Sequence, residues 1–347
     1  MNLIGIKYFS NLGMKISDEL EEEIEALMDS EKLSTLMAVS DKIGISEDAK
    51  YEEEKYIEFF KNIFENEFEN KNFKVAIDTA NGATYKIAEK VFTELKINFE
   101  IINNQPDGIN INNNCGSTHL ETISNYVKTN RFDLGIAYDG DGDRCLAVDE
   151  NGDTIDGDII MAILSDYFKN KRILEKNTLV STVMSNLGLK KFAENSKIDI
   201  ITTKVGDRYV LEEMLKNGYN LGGEQSGHII MLDYNPTGDG ILTSLMLIRA
   251  ILEKNQKASE VRKMINNYPQ VLINAKVSND KKYDYETDKE IMDKIDELQN
   301  EFSDNGRVLV RPSGTEPKVR VMIEGENQEY ITNRAQELAD LIEQKLN

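Results

Sequence analysis

The chain has 347 residues, with 41 Lys and Arg against 62 Asp and Glu and a formal net charge of -21. That balance excludes a surface built to displace counterions from nucleic acid, which needs clustered cations. Hydrophobic residues at 40% and charged residues at 30% make a globular chain, long enough for two or three compact units.

Ser17 predicts a helix N-cap, with Asp18 and Glu19 in the first turn and Ile16, Leu20, Ile24 and Leu27 at helical spacing. A second helix is expected over Tyr51 to Phe64, with Tyr56, Phe59, Phe60 and Phe64 on one face. The pattern then changes to short apolar strands alternating with helices. Strands are expected at Phe73 to Ile77, Ile97 to Ile102, Leu134 to Ala137 and Cys145 to Val148, the last two flanking an acidic loop. The alternation restarts near Thr178 with TLVSTV, a helix around 187–195, IDIITT, a helix after Val205-Gly206-Asp207-Arg208, HIIML, and a long helix from Gly240. From about Pro269 a strand, a helix (Lys289 to Leu298), two strands around Arg311-Pro312 and a last helix from Gln328 predict a small α+β domain. Alternating strands and helices imply layered α/β units with mostly parallel or mixed sheets. The two α/β stretches read as structural cousins without a clear sequence repeat.

Asp139-Gly140-Asp141-Gly142-Asp143-Arg144 is the sharpest motif. Three carboxylates separated by glycines suit one hard cation and would otherwise repel one another. A solvated turn and a calcium-binding loop are the rivals. The second fails because Arg144 stands where that loop needs glycine and because the flanks read as strands. Few carboxylates in an oxygen-only site beside a phosphate substrate favour Mg²⁺. Arg311-Pro312-Ser313-Gly314-Thr315-Glu316-Pro317 offers an Arg, two hydroxyls and backbone N–H groups for a phosphate dianion, against an ordinary Pro/Gly turn. In Gly222 to His228, Glu224 and Ser226 offer an acceptor and a donor to sugar hydroxyls, while His228 taken alone reads as a core histidine. His119 carries no comparable case. Cys115 and Cys145 lie outside any CxxC spacing and read as free thiols of a reducing compartment. No secretory signal pattern opens the sequence, and Gly240 to Leu252 is too short for a bilayer, so a cytoplasmic location and no membrane partner are expected.

These strings, together with GIKYFS, DTANGA, NCGSTHLE, TKVGDRYV, TGDG and RPSGTEPKVRVMIEG, resemble the α-D-phosphohexomutase family in family order, from Gly5 to the C-terminus. The resemblance implies a multi-domain architecture with mixed α/β sheets plus a small C-terminal α+β domain. Its divisions would be 1–68, the remnant of a first domain; 69–170, with the metal loop; 171–267, with the sugar loop; and 268–347, with the phosphate loop. It implies Asp139, Asp141 and Asp143 as Mg²⁺ ligands, Glu224 and Ser226 on sugar hydroxyls, and Arg311, Ser313, Gly314 and Thr315 on the phosphate that is not transferred. Lys7, Arg144, Arg208 and His228 would surround the reacting centre. Gln225, NCGSTH and VGDR match the family's glucosamine branch, and so imply glucosamine 6-phosphate, glucosamine 1-phosphate and a bisphosphate intermediate. Mannose or glucose phosphates are the alternative substrates, and a non-catalytic phosphosugar-binding fragment the alternative role. The family's phosphoserine lies in a TASHNP-like string before NGxK; here Met1-Asn2-Leu3-Ile4 precede Gly5-Ile6-Lys7 and no TASHNP occurs. The expectation is therefore a truncated chain, inactive alone, with a missing N-terminal fragment as partner. Exposed apolar surface is expected where that fragment would pack, and a homodimer in the full-length form.

Overall fold

The computed structural model describes residues 8–347 except 12, 46, 48, 49, 304, 314 and 315, with Lys50 by its backbone alone. Of the candidate site residues named above, Lys7, Gly314 and Thr315 lie outside the described residues. The chain divides into two compact units, Met1–Val183 with Ile198–Met264, and Met184–Lys197 with Ile265–Asn347.

In the first unit α1 (Asp18–Met28) starts where Ser17 accepts the Leu20 N–H at 3.3 Å, as the cap signal predicts. The apolar row at helical spacing forms no buried face: α1 buries no residue, and of that row only Ile16, ahead of the helix, is buried. Cap and first-turn charges set this helix without a packed stripe. The short α2 (Leu33–Leu36) follows, and Leu36, Met37, Val39 and Ile43 are all exposed. Helix α3 (Lys50–Ile63) behaves differently. Phe60 and, one residue past its end, Phe64 are fully buried, and the Arg249 guanidinium sits 4.1 Å from the Phe64 ring centroid while donating to the Ile63 carbonyl at 2.6 Å.

Next come β1 (Lys74–Asp78), α4 (Ile87–Glu94), β2 (Asn98–Ile102), α5 (Glu121–Asn130), β3 (Leu134–Tyr138), β4 (Cys145–Asp149), β5 (Thr154–Ile155) and α6 (Gly157–Lys171). They build a sheet of order β2-β1-β3-β4-β5, parallel across β2, β1 and β3 and antiparallel from β3 onward. The second sheet is made from β6 (Thr178–Thr182), then, after α7 (Leu187–Ser196), from β7 (Asp199–Thr203), and, after α8 (Asp207–Asn217), from β8 (Leu221–Gly223) and β9 (Ile229–Met231). Its order is β7-β6-β8-β9, again two parallel pairings and then an antiparallel one. The two α/β stretches therefore repeat one topology, the kinship that the alternation of elements suggests.

Helices α5, α6 and α10 (Ala258–Arg262) and the three-residue β8 are not legible in the residue pattern. For α6 the reason is physical. Ten of its residues are buried, among them Ile159 to Leu164 without interruption, so no polar face marks the helical period. It packs on α9 (Gly240–Lys254), an equally apolar helix capped by Asp239.

The second unit holds α7, β10 (Gln270–Lys276), α11 (Lys289–Glu301), β11 (Arg307–Pro312), β12 (Lys318–Glu324) and α12 (Gln328–Leu346), in the order expected of a small α+β domain. Its antiparallel sheet, β10-β12-β11, buries Val319, Val321 and Ile323 against Ile291, Leu298, Leu338 and Ile342 of the helices. Buried Glu324 ties α7 to this sheet by accepting from the Leu187 N–H (3.1 Å) and Arg307 Nε (2.9 Å).

Phe64→Ala removes a buried ring from the α3–α9 contact and is expected to cost about 3–5 kcal/mol. Urea unfolding followed by tyrosine fluorescence, in a chain without tryptophan, should show the midpoint fall.

Candidate active site

The acidic motif is the hairpin loop between β3 and β4, closed by the pair Tyr138 and Cys145. Asp139 shapes it: Oδ1 accepts from the Gly142 N–H at 3.1 Å and the Arg144 N–H at 3.2 Å. Gly142 sits at φ +78°, and a Cβ there would lie 2.4 Å from Thr84 Cγ2, so conformation and space both call for glycine. The loop folds the carboxylates together, and ligand oxygens of Asp139, Asp141 and Asp143 all lie within 4.8 Å of one another. Among the described residues no other group of His, Cys, Asp and Glu does so. Burial, and then the charges of Asp143 and Asp141, push the Asp139 carboxyl up to about 7. Arg144 offers only partial relief, its half-exposed guanidinium Nε 3.8 Å from both Asp139 and Asp143. An oxygen-only cluster of three carboxylates fits a hard divalent cation, and its flanks are strands, unlike a calcium-binding helix–loop–helix.

Glu224 and Ser226 occupy the equivalent hairpin of the second sheet, between β8 and β9. The Gly227 N–H donates to the Glu224 carbonyl at 3.0 Å and closes the turn. Glu224 Oε1 accepts from the Gly206 N–H at 2.9 Å, which fixes the carboxylate, while Ser226 is exposed at the tip. The two hairpins touch, since the Cys145 N–H donates to the Gly227 carbonyl at 3.0 Å, and the start of α9 braces the acidic loop through the Gly240 N–H on the Gly142 carbonyl at 2.9 Å. Both stand at the carboxyl ends of parallel strands, where open α/β sheets place their ligand crevices.

His228 follows directly. It is buried, as a core histidine would be, yet its ring lies between carboxylates: Nδ1 is 3.4 Å from Asp143 Oδ2 and Nε2 3.3 Å from Asp207 Oδ2. Arg208, the second residue of α8, is ion-paired with Asp18 and, at 2.8 Å, Glu212. Asp207 and Lys15, which form an ion pair, were not singled out by the residue pattern. Asp207 stands inside VGDR beside an arginine that drew the attention, and nothing in the local sequence around Lys15 marks it. Asp239 caps α9 with its carboxylate 2.9 Å from the Tyr56 hydroxyl, and burial pushes its carboxyl up.

In the second unit Arg311 on β11 faces Arg320 on β12 in register. Burial, and then Arg320, pull the Arg311 guanidinium below its ordinary range. Buried Ser313 lies beside them, with Oγ 3.4 Å from Arg320 Nη2 and 3.3 Å from the Glu316 N–H, while Lys282 donates to the Ser313 carbonyl at 3.2 Å. Arg320 also meets the Glu316 carboxylate at 3.5 Å; two guanidiniums beside a buried hydroxyl are groups suited to an anion. Arg320 was missed in the sequence because only cross-strand register brings it to Arg311.

Family models for phosphoglucomutase/phosphomannomutase match three parts of the chain. Alpha/beta/alpha domain II matches residues 54–152, alpha/beta/alpha domain III residues 156–268, and the C-terminal domain residues 272–341. The chain belongs to this α-D-phosphohexomutase family of isomerases. Within it the sequence sides with the phosphoglucosamine mutases, at 51% identity to those of Clostridium acetobutylicum and Ruminiclostridium cellulolyticum over 99% of this chain and 76% of each relative, which supports phosphoglucosamine mutase function. Solved structures share the fold. A Burkholderia thailandensis phosphoglucomutase/phosphomannomutase family protein matches at TM-score 0.71 and 19% identity, over 94% of this chain and 71% of that one. Aspergillus fumigatus N-acetylphosphoglucosamine mutase, in complex with GlcNAc-6P and magnesium, matches at TM-score 0.69 and 21% identity, over 91% and 68%. Another structure of that enzyme is spanned over only 65% of its length. No helix among the described residues is long and apolar enough to cross a membrane.

The raised Asp139 carboxyl fixes a sign. Its folded pKa, about 7, exceeds the 3.8 of an unperturbed aspartate, so between those values the folded state holds a proton that the unfolded state releases. The Asp139 contribution to stability is therefore present at low pH and is lost as pH rises through that window. Thermal melts of metal-free chain should show Tm falling between pH ~4 and ~7, and Mg²⁺ should raise Tm more at the upper end than at the lower.

Proposed function

We propose that this chain supplies the metal, sugar-hydroxyl and distal-phosphate sites for interconversion of glucosamine 6-phosphate and glucosamine 1-phosphate. The observation that carries the reading is the contact of two equivalent hairpins, one with three clustered carboxylates and one with the Glu224–Ser226 turn, in a chain half identical to phosphoglucosamine mutases. On this reading residues 1–68 end a first domain, 69–170 carry the metal loop, 171–267 the sugar loop and 268–347 the phosphate loop.

Asp139, Asp141 and Asp143 would hold Mg²⁺, which when bound neutralises charge on a transferring phosphoryl group. Glu224, its carboxylate already oriented by Gly206, accepts sugar hydroxyls, and Ser226 donates to a neighbour. Arg311, Arg320 and Ser313 grip the phosphate that is not transferred, with Gly314 and Thr315 of the same loop. Arg144 and Arg208 offer positive charge to the reacting phosphate, with Lys7 as a proton-transfer partner and His228 beside them. The family reaction passes a phosphoryl group from serine to the free sugar hydroxyl and returns the other phosphate to serine through a bisphosphate. That serine belongs to the TASHNP-like string, which these 347 residues do not contain, so they bind and orient while the nucleophile comes from outside them.

Purified chain with glucosamine 6-phosphate, Mg²⁺ and a bisphosphate primer is expected to bind the bisphosphate without forming glucosamine 1-phosphate. Fusion to the serine-bearing segment of a relative is expected to give turnover. Turnover by the unfused chain would contradict the reading. Asp141→Asn should weaken Mg²⁺ binding in calorimetry by at least the ~10–100-fold that loss of a mere outer-shell partner costs. Arg320→Met should weaken bisphosphate binding and leave Mg²⁺ affinity unchanged.

A further inference from the structure

We propose that Lys15 and Asp207 are positioning residues for His228, holding the imidazole in one orientation and tautomer across from the metal loop. The inference rests on the reading of His228 as a polar group of the reacting centre. It adds residues that the motifs do not assign.

The His228 side chain is 3% exposed, so what it touches decides its orientation. Its Nε2 accepts from the Gly238 N–H at 3.1 Å, and that approach depends on glycine, since a Cβ at Gly238 would lie 2.5 Å from ring atoms Cε1 and Nε2. A nitrogen that accepts carries no proton. The tautomer that this contact selects has its proton on Nδ1, the nitrogen that faces Asp143 at 3.4 Å. Asp207 complicates this arrangement. Its Oδ2 stands 3.3 Å from the same Nε2, and an uncompensated carboxylate there would draw the proton away from the Asp143 side. The Lys15 ammonium forms an ion pair with that very oxygen.

The contacts run in one line from Lys15 through Asp207 and His228 to Asp143. Lys15 is placed by a short two-stranded contact. Lys15 pairs with Phe9 as a β-bridge, and the Ser10 N–H donates to the Met14 carbonyl at 2.7 Å. Asp207 is placed as the first residue of α8, next to Gly206, whose N–H holds Glu224. The same turn therefore orients both the sugar-binding carboxylate and the neighbour of the histidine. Lys15 and Asp207 act through His228 and are not themselves catalytic residues.

The chain has two histidines, so the ring nitrogens of His228 can be followed directly with His119 as an internal reference. The experiment is a long-range proton–nitrogen correlation spectrum of the 347-residue chain, labelled at histidine nitrogen, at one pH with saturating Mg²⁺. Wild-type chain is expected to show His228 with a protonated Nδ1 and an acceptor-type Nε2. Lys15→Met and Asp207→Asn are each expected to shift the His228 Nε2 resonance while His119 stays in place, and Lys15→Arg to restore the wild-type position. Asp207→Asn preserves size, so it carries the test if Lys15→Met does not fold. His228 resonances that superimpose on wild type in both variants would overturn the proposal. Calorimetry of Mg²⁺ on the same samples separates the two ideas. An Mg²⁺-binding chain with unmoved His228 signals refutes the positioning role alone, whereas a wild-type chain that binds no Mg²⁺ refutes the site reading itself.

Discussion

Like charges confined to a small, partly buried volume are the constraint around which the first unit is organised. Asp139, Asp141 and Asp143 come within 4.8 Å of one another because glycines let a six-residue hairpin loop turn back on itself, and because Asp139 spends one oxygen on the backbone of that loop. Repulsion among them would open such a turn in water. Backbone contacts from outside the loop hold it: Gly240 N–H on the Gly142 carbonyl and the packing of Thr84 under Gly142. Arg144, with Nε 3.8 Å from Asp139 and Asp143, relieves part of that repulsion, and the oxygen-only cluster fits a hard divalent cation.

The second organising feature is topological. Each sheet of the first unit runs through two parallel pairings and then a tight antiparallel hairpin, and each hairpin carries polar functional groups. A backbone bond from the Cys145 N–H to the Gly227 carbonyl sets the acidic loop of one hairpin against the Glu224–Ser226 turn of the other, which on the proposed reading registers the metal and sugar sites. The second unit solves a different problem with a three-stranded antiparallel sheet. Its cross-strand register sets Arg311 against Arg320, a like-charge pairing that the Glu316 carboxylate, 3.5 Å from Arg320 Nη2, relieves in part.

Much of this was legible in the residues because chemistry and spacing agreed. The acidic loop could be read from i, i+2, i+4 carboxylates between two apolar strands, and the structure places those strands as β3 and β4. Ser17 was legible as a cap because capping is a local interaction. What stayed hidden depends on distance along the chain. Lys15 meets Asp207 across 192 residues, and Arg320 meets Arg311 only through the pairing of two strands. Helix α6 escaped notice because burial on all sides erases its period. The apolar row of α1 misled in the opposite sense, showing a helical period on a helix that buries none of its own residues.

The central claim is that the aspartate trio is a divalent-cation site. Crystals of the chain soaked in Mn²⁺ and measured at the manganese absorption edge test it without recourse to activity. The account predicts an anomalous peak among the carboxylates of Asp139, Asp141 and Asp143. Density for the ion elsewhere, with the trio surrounded by water alone, would contradict it.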